Sequence, residues 1–375
     1  MKKVLIIQTS LNGGGAERVL TDLLKHIDKK TYNIDLLLVY GGGVYFDDIP
    51  DDINYLGSIF PAGYEFPLYR RILSKLKITE KYRRQDIEPF VKGHYDTIVS
   101  FMESRPVKYH SFIMDRADRN VSWVHIDMLS NHWTRFAFGS DREEEDIYNR
   151  MDRIVFVSAN IRDNFNRRFN IKNKSRETVI YNVVDKERII NSAKEPVATT
   201  RDKNSFSIIA VGRLVPQKNF ERLIKAASIL RERGIDFHLD IVGEGPLRKS
   251  LSSLINELSL QERIKLPGFY RNPYPYIKNS DLVVSSSDSE GLPTILCEAF
   301  VLGRPVVATN IPASAELLGQ SEYGILTDCN AESLASGIER MITEPETYKR
   351  YMRLSLERAG IFSIEETLSK IYSIL

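Results

Sequence analysis

The segment SIIAVGRLVPQKNFERLIKAASIL, residues 207–230, decides the fold class of this chain. It begins with an apolar run, Ser207–Val211, of the kind found in strands that are buried on both faces. After Gly212, apolar residues at helical spacing form one stripe: Phe220, Leu223, Ile224, Ala227 and Leu230. A buried strand followed by an amphipathic helix is the repeating unit of a parallel sheet, so the segment predicts an α/β fold.

The same alternation of strand and helix runs through the rest of the chain. Further apolar runs that we predict to be strands are Lys3–Gln8, Ile34–Val39, Thr97–Phe101, Val121–Val124, Ile154–Val157, Val179–Val184, His238–Val242, Ile264–Leu266, Leu282–Ser285, Pro305–Ala308 and Gly324–Leu326. With Ser207–Val211 these are too many strands for one compact sheet. The sequence therefore predicts two doubly wound domains.

Composition indicates where the domains end. The stretch Asn191–Asn204 is polar and poor in large apolar residues, which is typical of a linker. We therefore expect a first domain over residues 1–195 and a second over residues 196–360. A helix is predicted after Gly360, and we expect this last segment, residues 361–375, to return to the first domain.

Overall composition excludes several classes of protein. Hydrophobic residues make up 42% and charged residues 27% of the 375 residues, which excludes disordered and collagen-like chains. A net charge of +2 does not indicate a protein that binds nucleic acid. Cys297 and Cys329 cannot form a disulfide framework, and the first apolar run is too short for a signal peptide, so we expect a cytoplasmic protein. No zinc-ligand spacing is present in the sequence.

A basic stretch, Tyr69–Arg84, interleaves Arg and Lys with Leu and Ile. One reading is an amphipathic helix whose charged face is solvated. The other is a helix that lies on anionic lipid headgroups, because such surfaces attract basic side chains flanked by apolar ones. The second reading predicts a peripheral position on the inner face of the cytoplasmic membrane.

A glycine-rich turn, Asn12–Glu17, follows the first predicted strand and begins the first predicted helix. Glycines let backbone amides approach an anion, and the dipole at the start of a helix favours negative charge. Doubly wound sheets bind ligands at this edge. The turn therefore predicts a phosphate or a sugar nearby, and the alternative is a plain tight turn between strand and helix.

Two similar turns follow the first strands of the second half. Gly212 is followed by Arg213, with Lys218 five residues later, and a guanidinium and an ammonium at a sheet edge suit a diphosphate. The alternative is that both cations are simply solvated. The turn Gly243–Pro246 is read either as part of the same ligand crevice or as an ordinary glycine turn before a helix.

The most informative motif is SEGLPTILCE, residues 289–298. Pro293 is favoured at the first position of a helix, so we expect a helix to begin there. Glu290 lies in the preceding loop and Glu298 about one turn into the helix, and we expect both carboxylates at one cleft. Capping of the helix by acidic residues is the alternative, and it explains one glutamate more easily than two.

Together these motifs resemble those of retaining GT-B glycosyltransferases, in particular glycosyltransferase family 4. Glu290 and Glu298, with seven residues between them, are similar to the double-glutamate motif of that family. Other similar motifs are Gly212–Lys218, Val242–Pro246, Gly13–Glu17 and Tyr181–Asp185. The resemblance covers nearly the whole chain and is strongest over residues 207–328.

The resemblance implies two Rossmann-like domains that face each other across a cleft. It also implies that the second domain binds the nucleotide of an activated sugar, usually a UDP-sugar. Arg213 and Lys218 would neutralise the diphosphate. Glu298 would accept hydrogen bonds from the ribose, and Glu290 would contact hydroxyls of the donor sugar. The other residues implied around the donor are Gly14, Gly15, Gly212, Gly243, Gly268, Phe269, Gly291, Leu292, Pro293, Thr294 and Ile295.

His125 follows the predicted strand Val121–Val124 at the carboxyl edge of the first sheet. A buried histidine is more often structural, but the resemblance implies one near the donor sugar. We therefore expect His125 to be catalytic together with Glu290, Arg213 and Lys218. Residues expected to orient it, to face the cleft or to line an acceptor pocket are Glu103, Asp127, His132 and Trp133.

The reaction implied by the resemblance moves a sugar onto a hydroxyl of a glycan or lipid-linked acceptor with retention of configuration. It would serve the synthesis of capsule, lipopolysaccharide or exopolysaccharide. Since Arg213 and Lys218 would stabilise the leaving diphosphate, we expect no metal cofactor. The acidic pairs at residues 47–48 and 51–52 follow no clean strand end. The alternatives are a nucleotide-sugar epimerase or a phosphorylase on the same scaffold, and a catalytically silent partner protein that binds nucleotide-sugars.

Overall fold

The computed structural model describes residues 1–68, 82–130, 132–196 and 205–375. The described chain divides into two compact units. Unit 1 comprises Met1–Val183 together with Ile364–Leu375, and unit 2 comprises Val184–Ser363. Most of the basic stretch, residues 69–81, and the end of the predicted linker, residues 197–204, lie outside the described residues.

Unit 1 is built on a parallel sheet. Its described strands are β1 (Lys2–Gln8), β2 (Tyr32–Tyr40), β3 (Asn54–Phe60), β4 (Tyr95–Ser100), β5 (Ala117–Val124), β6 (Arg153–Phe156) and β7 (Glu177–Val179). They lie in the order β3-β2-β1-β4-β5-β6-β7. Because β1 pairs with both β2 and β4, the winding of the chain reverses between β1 and β4, and doubly wound sheets bind ligands at this switch point.

Unit 2 repeats this architecture with a second parallel sheet. Its described strands are β8 (Ser207–Val211), β9 (His238–Val242), β10 (Ile264–Gly268), β11 (Leu282–Ser285), β12 (Val306–Thr309) and β13 (Ile325–Thr327). They lie in the order β10-β9-β8-β11-β12-β13, so the switch point falls between β8 and β11. The motifs that contain Arg213 and Glu290 directly follow these two strands.

Helices cover the sheets. The described α-helices are α1 (Gly15–His26), α2 (Arg84–Ile87), α3 (Arg105–Ser111), α4 (Asp141–Arg150), α5 (Ala159–Arg168), α6 (Lys186–Ser192), α7 (Phe220–Glu232), α8 (Arg248–Glu257), α9 (Tyr274–Asn279), α10 (Thr294–Val301), α11 (Pro312–Leu318), α12 (Ala331–Thr343), α13 (Pro345–Arg358) and α14 (Ile364–Ile374). In unit 2, α7 and α12 contribute to the core through Leu223, Ile224, Leu334 and Ile338. Within the described ranges, no helix has the length and apolar character that crossing a bilayer requires.

Helix α14 packs on the sheet of unit 1. The ring of Tyr372 stacks on that of Tyr32 in β2, with centroids 5.2 Å apart. The hydroxyl of Thr97 in β4 donates a hydrogen bond to the carbonyl oxygen of Leu375 at 2.8 Å. The side chain of Ile371 is 2% exposed. These contacts explain why the last residues of the chain belong to the first unit.

The two units meet in sequence between Val183 and Val184, and not between residues 195 and 196. Helix α6 is the physical reason, because it packs against α9 and α10 of unit 2. The side-chain amide of Asn272 also donates a hydrogen bond to the carbonyl of Ser192 at 2.9 Å. Polar composition marks where α6 ends, whereas its packing assigns it to unit 2.

Two strands differ from the sequence-based expectation. β3 is not predicted, because most of its side chains are partly exposed and Gly57 interrupts it with a φ of +116°. The predicted strand Val179–Val184 is wrong over most of its length. β7 ends at Val179, and Asp185 already caps α6 by accepting a hydrogen bond from the backbone of Arg188.

Candidate active site

Glycines bring the turns after β8 and β9 into close backbone contact. The N–H of Gly212 donates a hydrogen bond to the carbonyl of Val242 at 3.0 Å, and that of Gly243 donates to the carbonyl of Gly268 at 2.8 Å. A Cβ atom on Gly243 would lie 1.9 Å from the carbonyl oxygen of Gly212. Gly243 also has a φ of +148°, so only glycine fits this position. The two predicted turns therefore lie side by side at the carboxyl edge of the sheet.

Lys218 and Glu290 form an ion pair at this edge, with Nζ 2.5 Å from Oε1. The hydroxyl of Ser287 donates a second hydrogen bond to Oε1 at 2.7 Å. The Lys218 and Glu290 side chains are only 20% and 10% exposed. Arg213 is exposed, and its guanidinium has no ion-pair partner in the part of the chain that the structure describes. One free and one paired cation in the same loop suit a ligand with two negative charges.

Hydrogen bonds fix the loop after β11 against the loop after β8. The side-chain amide of Gln217 donates to the carbonyl of Ser289 at 2.6 Å. In return, the backbone N–H of Asp288 donates to the carbonyl of Gln217 at 2.9 Å. Because these contacts join the two loops at the switch point, Glu290 is held on a rigid part of the fold.

Helix α10 begins at Thr294, one residue later than predicted. Pro293 is its N-cap and has a ψ of 92°, which is not helical. Residues of this segment that are buried are Gly291, Leu292, Pro293 and Ile295, and Thr294 is half-buried. Within the helix, Glu298 accepts a hydrogen bond from the hydroxyl of Tyr274 at 3.4 Å. Arg188 donates to that hydroxyl at 3.1 Å, so a chain of two hydrogen bonds orients the carboxylate.

Gly268 and Phe269 lie at the end of β10. Gly268 has a φ of +98°, and its carbonyl binds the turn after β9. The ring of Phe269 is 41% exposed. An exposed ring beside the glycine turns is suited to packing against a flat base.

In unit 1, the glycine turn begins α1 as predicted. Gly14 is the N-cap and Gly15 the first helical residue. Gly13 has a φ of +100°. A Cβ atom on Gly14 would lie 2.2 Å from Oε2 of Glu17. The carboxylate of Glu17 therefore folds back over the start of its own helix, where the helix dipole stabilises negative charge.

His125 directly follows β5 and is 8% exposed. Its backbone N–H donates a hydrogen bond to Oε2 of Glu103 at 3.0 Å. Its ring lies 5.1 Å from the ring of Phe101 and hydrogen-bonds to the backbone of the same residue. Burial lowers the pKa of His125 to about 4, so the imidazole is neutral at pH 7.

Two residues predicted around His125 have partners of their own. Asp127 accepts a hydrogen bond from the side chain of Asn164 at 3.0 Å. His132 lies between Glu144 and Arg168, 2.7 Å from each. Burial raises the pKa of Glu144 to about 8. This polar network fixes α4 and α5 to the loop after β5.

The residues that form hydrogen bonds with the predicted glutamates are not apparent in the sequence. Ser287 binds Glu290 and Tyr274 binds Glu298, and both lie outside the quoted motif. The available signal for the first is the run Ser285–Ser287 after an apolar strand. The structure joins Glu290 to Lys218 directly and holds Glu298 through a separate set of hydrogen bonds.

Each half of the chain matches a protein-family model. Residues 13–188 match the family model described as Glycosyltransferase Family 4. Residues 191–355 match the model described as Glycosyl transferases group 1. The division between the two matches falls close to the division between the two units.

Relatives and solved structures agree with these matches. A Campylobacter jejuni enzyme named N-acetylgalactosamine-N,N'-diacetylbacillosaminyl-diphospho-undecaprenol 4-alpha-N-acetylgalactosaminyltransferase is 29% identical over 96% of each chain. The Rhizobium meliloti lipopolysaccharide core biosynthesis glycosyltransferase LpsD is 28% identical over 39% of this chain and 42% of its own length. Anabaena HepE in complex with UDP-glucose superposes over 100% of both chains with a TM-score of 0.76 and 21% identity. The chain is therefore a glycosyltransferase of GT-B architecture that is similar to family 4.

Proposed function

We propose that this protein is a retaining glycosyltransferase that moves a sugar from a UDP-sugar to a hydroxyl of a lipid-linked or glycan acceptor. The reaction would serve the synthesis of a cell-surface polysaccharide. The observation that carries the proposal is the Lys218–Glu290 ion pair, with the exposed Arg213 in the same loop. An activated sugar requires cations for its diphosphate and a carboxylate for its hydroxyls, and this edge of unit 2 supplies both.

In this proposal unit 2 binds the donor. Arg213 and Lys218 bind the diphosphate, and Glu290 accepts hydrogen bonds from the donor sugar. Glu298, oriented by Tyr274, accepts hydrogen bonds from the ribose. The choice of UDP is supported by Anabaena HepE, whose structures contain UDP and UDP-glucose.

The chemistry follows from the charges that develop. Cleavage of the bond between sugar and diphosphate places positive charge on the sugar and negative charge on the leaving group. Arg213 and Lys218 stabilise the leaving diphosphate, and we propose that no metal ion is required. Retention would follow from attack on the face that the diphosphate leaves, with the diphosphate accepting the proton of the acceptor. The neutral imidazole of His125 would contact the donor sugar.

The acceptor is proposed from two relatives. The name of the Campylobacter jejuni enzyme specifies a substrate linked to diphospho-undecaprenol, and that of LpsD specifies lipopolysaccharide core biosynthesis. A lipid-linked acceptor would place the enzyme at the cytoplasmic face of a membrane. Contact through the basic stretch Tyr69–Arg84 stays a prediction from the sequence.

The proposal is tested with Lys218→Ala and a matched control, Lys225→Ala. Lys225 lies on α7, is 52% exposed and pairs with Glu221 away from the site. We expect Lys218→Ala to lower the rate of UDP release from UDP-sugars by about 10²–10³-fold, because one cation aimed at the leaving group is lost. The control is expected to keep the wild-type rate.

Initial rates are measured with UDP-glucose and UDP-N-acetylgalactosamine, with and without a chelator, and the anomer of the first product is read by NMR. An inverted product or loss of activity with the chelator would contradict the corresponding part of the proposal. Conversion of one UDP-sugar into another without acceptor would indicate an epimerase. Binding of UDP without any turnover would indicate a silent partner protein.

A further inference from the structure

Buried polar atoms without a hydrogen-bond partner lie where β4 and β5 end. Among the described residues they include Oε1 of Glu103, Oγ of Ser104 and Nε2 of His125. Glu103 is 0% and Ser104 1% exposed. An unpaired polar atom costs stability when it is buried, so folded proteins rarely retain several at one place without a reason.

The topology brings these residues together. β4 and β5 are neighbours, and Ser100 pairs with Ser122 in the sheet. Glu103 and His125 each follow three residues after this pair, so they leave the same edge of the sheet. The second carboxylate oxygen of Glu103, Oε2, accepts the backbone N–H of His125 at 3.0 Å and joins the two residues directly.

The backbone is strained at the same position. Ser104 has a φ of +70° and a ψ of −116°, in a region that favours glycine because a side chain is crowded there. Strain in a residue other than glycine persists only where the surrounding structure enforces it, and it concentrates at functional sites.

The chemistry of the unpaired atoms defines their ligand. His125 uses one ring nitrogen on the backbone carbonyl of Phe101, so the buried Nε2 of the neutral ring carries a lone pair. An ionised carboxylate likewise only accepts hydrogen bonds. Burial raises the pKa of Glu103 to about 7, so the group is an ionised carboxylate and a strong acceptor above that pH. Two acceptors at one edge repel phosphate and attract a neutral donor such as a hydroxyl.

We propose that Glu103 is a further substrate-binding residue, whose Oε1 accepts a hydrogen bond from a sugar hydroxyl while Oε2 positions His125 through its backbone N–H. The inference rests on the proposed function, because the substrates of a glycosyltransferase carry sugar hydroxyls on both the donor and the acceptor. The ligand at this position is the neutral sugar and not the nucleotide or its diphosphate.

The test compares Glu103→Gln and Glu103→Ala with the control Glu144→Gln. The glutamine variant keeps an acceptor for the N–H of His125 but replaces Oε1 with an amide, whereas alanine removes both contacts. Glu144 is also 0% exposed, but His132 and Thr134 bind its two oxygens. It therefore reports the effect of replacing a buried carboxyl group elsewhere in unit 1 with an amide.

The Kd for UDP is measured by calorimetry. The KM and kcat are measured for UDP-glucose, for UDP-N-acetylgalactosamine and for N-acetylgalactosamine linked to farnesyl diphosphate. We expect kcat/KM for one sugar substrate to fall about 10-fold in the glutamine variant and about 100-fold in the alanine variant, because a hydrogen bond to a charged group is lost. The Kd for UDP should stay within about twofold of wild type, and the control should keep the wild-type kcat/KM.

Deoxy analogues of the UDP-sugar identify the source of the hydroxyl. If Glu103 binds a donor hydroxyl, wild type and Glu103→Gln will have equal kcat/KM with the one analogue that lacks this hydroxyl. If Glu103 binds an acceptor hydroxyl, kcat/KM of wild type and Glu103→Gln will differ with every analogue, and the KM for the acceptor will change in the variant. If the glutamine variant does not fold, Glu103→Asp, which retracts the carboxylate by one methylene, replaces it.

A folded Glu103→Gln or Glu103→Asp variant with wild-type kcat/KM for donor and acceptor would overturn this inference and leave the proposed function intact. An equal loss of kcat/KM in the Glu103 variant and in Glu144→Gln would overturn the inference as well. A wild-type protein that neither binds UDP nor transfers sugar would overturn the proposed function, and this inference with it.

Discussion

At the scale of the residue, Gly243 sets the geometry of the candidate donor site. We predict that Gly243→Ala lowers the free energy of unfolding by about 2–5 kcal/mol, from strain at positive φ and from overlap with the backbone. The methyl group would lie 1.9 Å from the carbonyl oxygen of Gly212, which has no flexible side chain to move away. Urea unfolding at pH 7 measures the change.

Gly360→Ala is the matched control. A Cβ atom at Gly360 meets nothing within 4 Å, so we expect a change of less than about 1 kcal/mol in either direction. Equal stabilities of the two variants would show that the turns after β8 and β9 are not in the close contact described.

The residues that carry charge in the candidate site are predictable from sequence, whereas their partners are not. Arg213, Lys218 and Glu290 stand out because each follows an apolar run that reads as a strand. The contact between Lys218 and Glu290 spans 72 residues of sequence, and only the pairing of β8 with β11 creates it. The unpaired oxygen of Glu103 depends on burial, which no local pattern reveals.

At the scale of the element, α14 links the end of the chain to the sheet of unit 1. We predict that Ile371→Ala, which leaves a cavity under this helix, destabilises unit 1 by about 2–5 kcal/mol. The side chain of Ile371 is 2% exposed. Hydrogen exchange should become faster in β2 and β4, which contact α14, and stay unchanged in β8–β13.

Lys370→Ala, an exposed change on the same helix, is the control and should leave exchange in both units unchanged. Faster exchange in unit 2 with Ile371→Ala, or no change in β2 and β4, would contradict the assignment of α14 to unit 1.

The strands and helices show which parts of the fold the pattern of apolar residues can predict. Strands buried on both faces, such as β1, β8 and β11, are visible as apolar runs. The edge strand β3 is not, since only Phe60 of its side chains is fully buried. The boundary between the units is also not predicted from the sequence. The packing of α6 on α9 and α10 assigns α6 to unit 2, and this tertiary contact is not visible in composition.

At the scale of the whole molecule, the chain is a GT-B glycosyltransferase, and each unit carries one group of candidate functional residues. Unit 2 carries cations and carboxylates on loops joined at the switch point between β8 and β11. Unit 1 carries two hydrogen-bond acceptors at the ends of β4 and β5. The first group suits a diphosphate and the second a sugar hydroxyl.

The most direct test of the central claim, that unit 2 binds a UDP-sugar without metal, is thermal melting with UDP, GDP and CMP in the presence of a chelator. UDP at 100-fold its Kd should stabilise the wild-type protein by about 2.7 kcal/mol, and GDP and CMP should stabilise it much less. The shift with UDP should shrink in Lys218→Ala and persist in Lys225→Ala. No shift with UDP, or a shift that the chelator abolishes, would contradict the claim.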